Sequence, residues 1–84
     1  MYNFIFTKNS KKEFEKINVQ DRERIINKLI EMKKVENIYD FLKWVYNLEP
    51  ATHRLRIWNF RILLLVEDKN ILILKIWHRK EIYK

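Results

Sequence analysis

The stretch HRLRIWNFRILLLVEDKNILILKIWHR, residues 53–79, decides the fold, because apolar side chains alternate with polar ones through three successive segments. A period of two is typical of β-strands with one buried face. Short turns separate HRLRIW, FRILLLVE and NILILKIWHR, so we expect three antiparallel strands joined as hairpins. The first turn is Trp58-Asn59, in a chain without glycine, and asparagine is among the few residues that tolerate the positive φ of such a turn.

The N-terminal part predicts one further strand and two helices. Residues 2–7, YNFIFT, alternate as a strand does. Ser10 and Glu13 have the spacing of a capping box that begins the first helix. Asn18 has the residue type and position of a cap for a second helix, with Asp21 at the matching third position.

The second helix is expected to continue to about residue 36, because Ile25, Leu29 and Met32 have helical spacing. Residues 37–50 are compatible with either a short helix or a packed loop. The resulting order is β-α-α-β-β-β, an α+β fold in which two N-terminal helices pack on one face of an antiparallel sheet. The length of 84 residues fits a single domain over residues 1–84.

Alternation sorts the side chains of the three strands into two faces. The set that includes Leu55, Ile62, Leu72 and Leu74 is nearly all apolar and is expected beneath the helices, whereas Ile71 and Ile73 fall on the opposite face. For the apolar faces of the second and third strands to match, the loop between them must contain an odd number of residues, and three residues are expected. Five cations then converge on one end of the helix-free face: Arg54, Arg56, Arg61, Lys75 and Arg79. This cluster predicts an anion-binding site, since like charges opposed across strands are otherwise destabilising.

Composition limits the classes of function. The net charge is +7, and residues 51–84 carry eight Lys or Arg against three Asp or Glu, which favours a polyanion or an acidic protein as partner. The absence of cysteine excludes disulfides, zinc-thiolate sites and a cysteine nucleophile. No apolar run approaches a membrane span, and the cytoplasm is the expected compartment. No metal-ligand cluster or Gly-rich phosphate loop is present, so no metal or other cofactor is expected.

Two motifs resemble the RelE/ParE superfamily of toxin–antitoxin toxins, and the resemblance covers most of the chain. HRLRIWNFRILL resembles the family pattern Arg-hydrophobic-Arg, x, Gly-Asp-Tyr-Arg that enters the central strand. WHRKEIYK, residues 77–84, resembles the closing Gly-His-Arg-x-Glu-hydrophobic-Tyr, and LKW at 42–44 resembles Leu-Lys-Gly. All three tryptophans, Trp44, Trp58 and Trp77, stand where the family usually has glycine.

Resemblance to the RelE branch implies metal-free cleavage of messenger RNA in the ribosomal decoding site, by attack of a ribose 2′-hydroxyl on the adjacent phosphate. Carried over by position, Arg61 stabilises the charge on the phosphate, Tyr83 orients the substrate and Arg79 lies near the general acid. Arg54 stands at a catalytic position that is lysine in RelE. The residues expected to bind RNA around these catalytic ones are Arg56, Lys75, Trp58, Trp77 and His78.

The departures from the family concern the general base. Both lysine positions are lost, to Thr52 and Arg54, and arginine stays protonated in proteins. His53 falls on the core face and is expected to be structural. We therefore expect Lys75 or His78 to serve as the base, or the ribosome to supply it.

Two other functions stay open at this point. The chain also resembles the ParE branch, which inhibits DNA gyrase and does not cut RNA, and a degenerate toxin would only bind its antitoxin or RNA. The resemblance implies a RelB-like antitoxin as partner, and an acidic, partly disordered one suits the charge of +7. The ribosome and mRNA are the other expected partners, for the same electrostatic reason.

Overall fold

A five-stranded mixed sheet organises the protein. The computed structural model describes residues 1–82, with side chains described through Lys80. The elements follow in the order β1 (Asn3–Phe6), α1 (Lys8–Glu15), α2 (Val19–Lys33), a 3-10 helix (Ile38–Phe41), β2 (Leu42–Trp44), β3 (His53–Ile57), β4 (Phe60–Glu67), β5 (Asn70–His78) and α3 (Arg79–Ile82). The strand order across the sheet is β1-β5-β4-β3-β2.

The predicted α+β class, with two N-terminal helices on one face of a sheet, is confirmed. Two features go beyond the prediction. The segment left open between Lys33 and β3 contains the 3-10 helix and the short edge strand β2. In addition, the prediction that the sheet is antiparallel was wrong for β1, which runs parallel to β5 with Asn3 paired to Asn70 and Phe6 to Ile73, so the sheet is mixed. Alternation identifies a strand but does not reveal which strand it pairs with.

One of the two predicted helix caps is confirmed. Asn18 caps α2, since its Oδ1 accepts a hydrogen bond from the Asp21 N–H at 2.9 Å. The prediction of a cap at Ser10 was wrong, because Thr7 holds that position and forms the capping box with Ser10. The Glu13 carboxylate instead accepts a hydrogen bond from the Ile76 N–H at 3.0 Å. It thereby satisfies a backbone group of β5 beyond the point where β1 ends.

The core lies between the helices and the sheet. The predicted stripe of α2, Ile25, Leu29 and Met32, is fully buried. It packs with buried residues of β2, β3, β4 and β5, and the half-buried rings of Phe4 and Phe6 extend the core to β1. The rings of Phe6 and Phe14 lie 5.0 Å apart and connect β1 to α1. No helix within residues 1–82 has the length and apolarity needed to cross a membrane.

A β-bulge in β5 changes which residues face the core. Leu63 pairs with Lys75 and the next residue, Leu64, pairs with Ile73, so Leu74 is an extra residue in β5. Alternation is interrupted there, and both Ile71 and Ile73 are 0% exposed in the core. The sequence-based face assignment of residues 71–74 was therefore wrong, because unbroken alternation was assumed.

The hairpin turns also differ from expectation. The β4–β5 turn has two residues, Asp68 and Lys69, and not three. The extra residue that matches the apolar faces of β4 and β5 is Leu74 in the bulge. In the β3–β4 turn the positive φ belongs to Trp58, at 53°, and not to Asn59. A bulky residue is unfavourable in this region of φ, where glycine is the usual choice. The backbone conformation of Trp58 therefore costs free energy relative to glycine at this position.

Candidate nucleic-acid interface

Four cations surround a cavity of about 290 Å³ on the face of the sheet opposite α1 and α2. We call it the cationic cavity; its lining residues are Phe41, Lys43, Arg54, Arg56 and Arg61. The strand register brings them together. Arg56 lies directly opposite Arg61, and Lys43 lies directly opposite Arg54. Two like-charged pairs in neighbouring rows weaken the sheet locally.

No acidic side chain lines the cavity, and its cations are not paired elsewhere in the described residues. Between described side chains, the one ion pair within 4 Å joins Lys28 to Glu31, at 3.8 Å. The Nε of Arg61 is buried and has no hydrogen-bond partner in this part of the chain. A buried guanidinium nitrogen without a hydrogen-bond partner costs free energy.

Three of the predicted site residues, Arg54, Arg56 and Arg61, line this cavity together. The sequence prediction missed Lys43, which reaches the cavity through β2, a strand that had not been predicted. The LKW motif at 42–44 was the available signal. Because residues 37–50 show no alternation, this motif indicates the family but does not predict a strand.

Three other predicted residues, Lys75, Trp77 and His78, line a second cavity of about 420 Å³ beside α1. They do not line the cationic cavity. Trp77 is nevertheless the cross-strand partner of Arg61, so the two groups of residues adjoin. His78 packs edge-on against Phe60, with ring centroids 5.1 Å apart, and its Nδ1 accepts a hydrogen bond from the Lys80 N–H.

The two remaining predicted catalytic residues belong to the C-terminal segment. Arg79 is exposed, and its N–H donates a hydrogen bond to the Asn59 carbonyl at 2.6 Å. This bond holds the start of α3 against the β3–β4 turn, near Arg56 and Arg61. Tyr83 lies outside the described residues. Among described side chains, no three His, Cys, Asp or Glu residues are grouped so that they could hold a metal ion.

Thr52 and His53 form a structural cluster at the far end of β3. The Thr52 hydroxyl accepts a hydrogen bond from the Val66 N–H at 3.0 Å and lies 2.8 Å from His53 Nδ1. The His53 ring is 4% exposed and stacks against Trp44 at a centroid distance of 4.4 Å. The prediction that His53 lies on the core face is confirmed. Desolvation by burial lowers the pKa of His53 below its usual 6.5.

This pKa shift makes stability depend on pH. As pH falls below about 6.5, the unfolded chain binds a proton that folded His53 does not bind, so the free energy of unfolding decreases. The decrease ends below the folded pKa, where both states are protonated. Urea denaturation at pH 7.5 and 5.5 should show a smaller loss of stability for His53→Gln than for wild type. Equal losses in the two proteins would contradict the assignment.

The fold and the site together define a small basic α+β protein with a cation-lined cavity on the open face of its sheet. A family model described as the ParE toxin of the type II toxin–antitoxin system parDE matches residues 4–83. The chain therefore belongs to this family of toxins, within the RelE/ParE superfamily.

Solved structures with the same fold include RelE toxins. In the RelB–RelE antitoxin–toxin complex from Methanococcus jannaschii, the matching chain is 25% identical with a TM-score of 0.71, and 94% of each chain is covered. The isolated E. coli RelE toxin is 20% identical with a TM-score of 0.70, covering 99% of this chain and 92% of that one. The intact E. coli RelBE complex gives 20% identity and a TM-score of 0.69, covering 93% and 96%. No curated protein sequence matches the chain.

Proposed function

We propose that this toxin is a ribosome-dependent endoribonuclease that cuts messenger RNA in the cytoplasm. The observation that carries the proposal is the cationic cavity, where three arginines and a lysine converge without a carboxylate. Arginine's planar fork suits phosphate oxygens. Cations gathered around a phosphate favour the charge that builds on it during attack.

The chemistry that fits this cavity is transesterification within the RNA backbone. The 2′-oxygen of one ribose bonds to the adjacent phosphorus, and the bond from phosphorus to the next 5′-oxygen breaks. Arg54 and Arg61 would stabilise the charge on the phosphate. Arg79, whose backbone is held at the turn beside them, would stabilise the charge on the departing 5′-oxygen until it takes a proton from water, and Tyr83 would orient the substrate.

Lys43 is the group we propose as the base that accepts the 2′-hydroxyl proton. Lys43 carries the one amine among the cavity-lining cations, and an amine accepts a proton when it is neutral, whereas arginine stays protonated in proteins. Lys75 and His78, expected from the sequence to fill this role, line the neighbouring cavity. The ribosome is the remaining source of a base.

Replacing Lys43 by arginine separates a base from a simple positive charge. Lys43→Arg keeps the charge in the cavity but removes the ionisable proton acceptor, so the cleavage rate of ribosome-bound mRNA should fall about 100-fold. Single-turnover cleavage on programmed ribosomes measures this. The double variant Lys75→Met, His78→Gln serves as the comparison. If the double variant cleaves much more slowly than wild type and Lys43→Arg cleaves at the wild-type rate, the base is Lys75 or His78 in the second cavity.

Inhibition of DNA gyrase is the second candidate function, and the observation that favours it is the family model, whose description names the ParE toxin. The two functions separate in one pair of assays. Cleavage of mRNA on ribosomes supports the first, and loss of gyrase supercoiling without RNA cleavage supports the second. If the protein shows neither activity and does not arrest growth when it is expressed, it is a degenerate toxin that only binds its antitoxin or RNA.

The proposed partners are an antitoxin, the ribosome and mRNA. Toxins of the same fold were solved in complexes with RelB, and we propose a RelB-like antitoxin with an acidic segment that covers the cationic cavity. Unpaired cations would attract such a segment for the same reason that they attract RNA phosphates.

A further inference from the structure

Trp58 lies at the tip of the β3–β4 hairpin, between two arginines. The guanidinium carbon of Arg24, on α2, lies 3.9 Å from the centroid of the indole ring. Arg56 donates a hydrogen bond from its Nε to the Trp58 carbonyl at 3.3 Å. The Arg56 side chain also lines the cationic cavity, so it connects the Trp58 backbone to the proposed phosphate site.

The ring is open to a ligand even though one face is covered. Trp58 is 49% exposed, and the Arg24 guanidinium accounts for one side of the ring. Arg24 is itself exposed and forms no ion pair with the described residues. The stack therefore presents an aromatic surface and an unpaired cation together, the combination on which nucleobases of single strands stack.

The backbone of Trp58 argues against a role in folding alone. Its φ of 53° is unfavourable for a bulky residue, and glycine would fit the turn better. The indole lies outside the buried core cluster, so burial of the ring contributes little to keeping it there. Contact with a ligand offers a reason for an indole at this position.

We propose that the Arg24–Trp58 stack is a nucleobase-binding subsite for single-stranded RNA. A base next to the phosphate in the cationic cavity stacks on the free part of the indole, while Arg24 holds the ring from α2. This inference rests on the proposed function, because it assumes that RNA enters the cationic cavity. It adds a binding residue on α2, Arg24, that no sequence motif indicated.

A cycle of variants and abasic RNAs tests the subsite. The probe is a short fluorescein-labelled RNA whose 2′-O-methyl groups block attack by the 2′-oxygen. It is compared with a series of the same RNA in which each copy lacks one base. Wild type should bind the full RNA at low salt about tenfold more tightly than Trp58→Gly does. One of the abasic RNAs should bind wild type about tenfold more weakly than the full RNA does. The same abasic RNA and the full RNA should bind Trp58→Gly with equal affinity. Arg24→Gln should show a smaller loss at the same position.

Trp44→Ala is the matched control, because Trp44 is also an exposed indole but stacks on His53 at the far end of β3. Its RNA affinity should equal that of wild type. Equal affinities of Trp58→Gly and wild type, or equal losses in Trp44→Ala and Trp58→Gly, would overturn the subsite. Because glycine suits the φ of residue 58, misfolding is not expected to obscure the result.

Arg61→Ala distinguishes failure of the subsite from failure of the proposed function. If Arg61→Ala weakens RNA binding but Trp58→Gly does not, the cavity binds RNA and only the subsite is wrong. If wild type does not bind the RNA, or Arg61→Ala binds as well as wild type, the proposed RNA site fails and the subsite fails with it.

Discussion

Replacing Arg61 by alanine is expected to lower the cleavage rate of ribosome-bound mRNA by about a thousandfold. Arg61 is the half-buried member of the cationic cavity, whereas its other cations are exposed, and burial restricts the motion of its guanidinium. A fixed donor of this kind stabilises developing charge without reorganising. Single-turnover cleavage on programmed ribosomes, together with growth arrest on expression, measures the effect.

The free energy of unfolding of Arg61→Ala should differ little from that of wild type, so a loss of activity can be assigned to the missing guanidinium. Arg56 and Arg61 are directly opposed, and like charges in that arrangement destabilise a sheet by up to about 1 kcal/mol. Relief of this repulsion offsets the packing that the aliphatic stem of Arg61 provides. Lys11→Ala removes an exposed charge from α1 and should keep full activity. If Arg61→Ala cleaves within a factor of about three of wild type, the phosphate role of the cavity is wrong.

The sequence predicted the cluster of arginines because two simple rules held locally. Alternation put Arg54, Arg56 and Arg61 on one face, and a two-residue turn opposed Arg56 to Arg61, as the structure shows. Both rules act between neighbours in the chain. For the same reason the cap at Asn18 and the buried stripe of α2 were predicted correctly.

The parts that were missed depend on contacts between distant residues. Strand β2 has three residues, too few for alternation to be visible, and exists because it pairs with β3. Arg24 meets Trp58 only because α2 crosses the end of the hairpin. The bulge at Leu74 is set by the pairing of β5 with β4, and Ile71, Leu72, Ile73 and Leu74 are all apolar, so the sequence does not reveal which of them point inward.

The reversal of faces at the bulge predicts unequal effects of two neighbouring substitutions in β5. Ile73→Ala removes methyl groups from a side chain that is 0% exposed, and should lower the free energy of unfolding by about 3 kcal/mol. Leu72→Ala acts on a half-buried side chain of the opposite face, where a loss of about 1 kcal/mol is expected. Urea denaturation of the two variants at pH 7.5 measures both losses.

The comparison is well matched, because both changes delete branched aliphatic side chains from adjacent positions of the same strand. Any general weakening of β5 therefore affects both variants, and the difference between them reports burial alone. Losses in the opposite order would mean that alternation continues unbroken and that Leu72 and Leu74 face the core. Lys75 and Trp77 lie on the face of Arg61 in either case, because they follow the bulge and pair with Leu63 and Arg61. The order of these two losses thus tests the bulge itself, and with it the burial of Ile71 and Ile73 in place of Leu72 and Leu74.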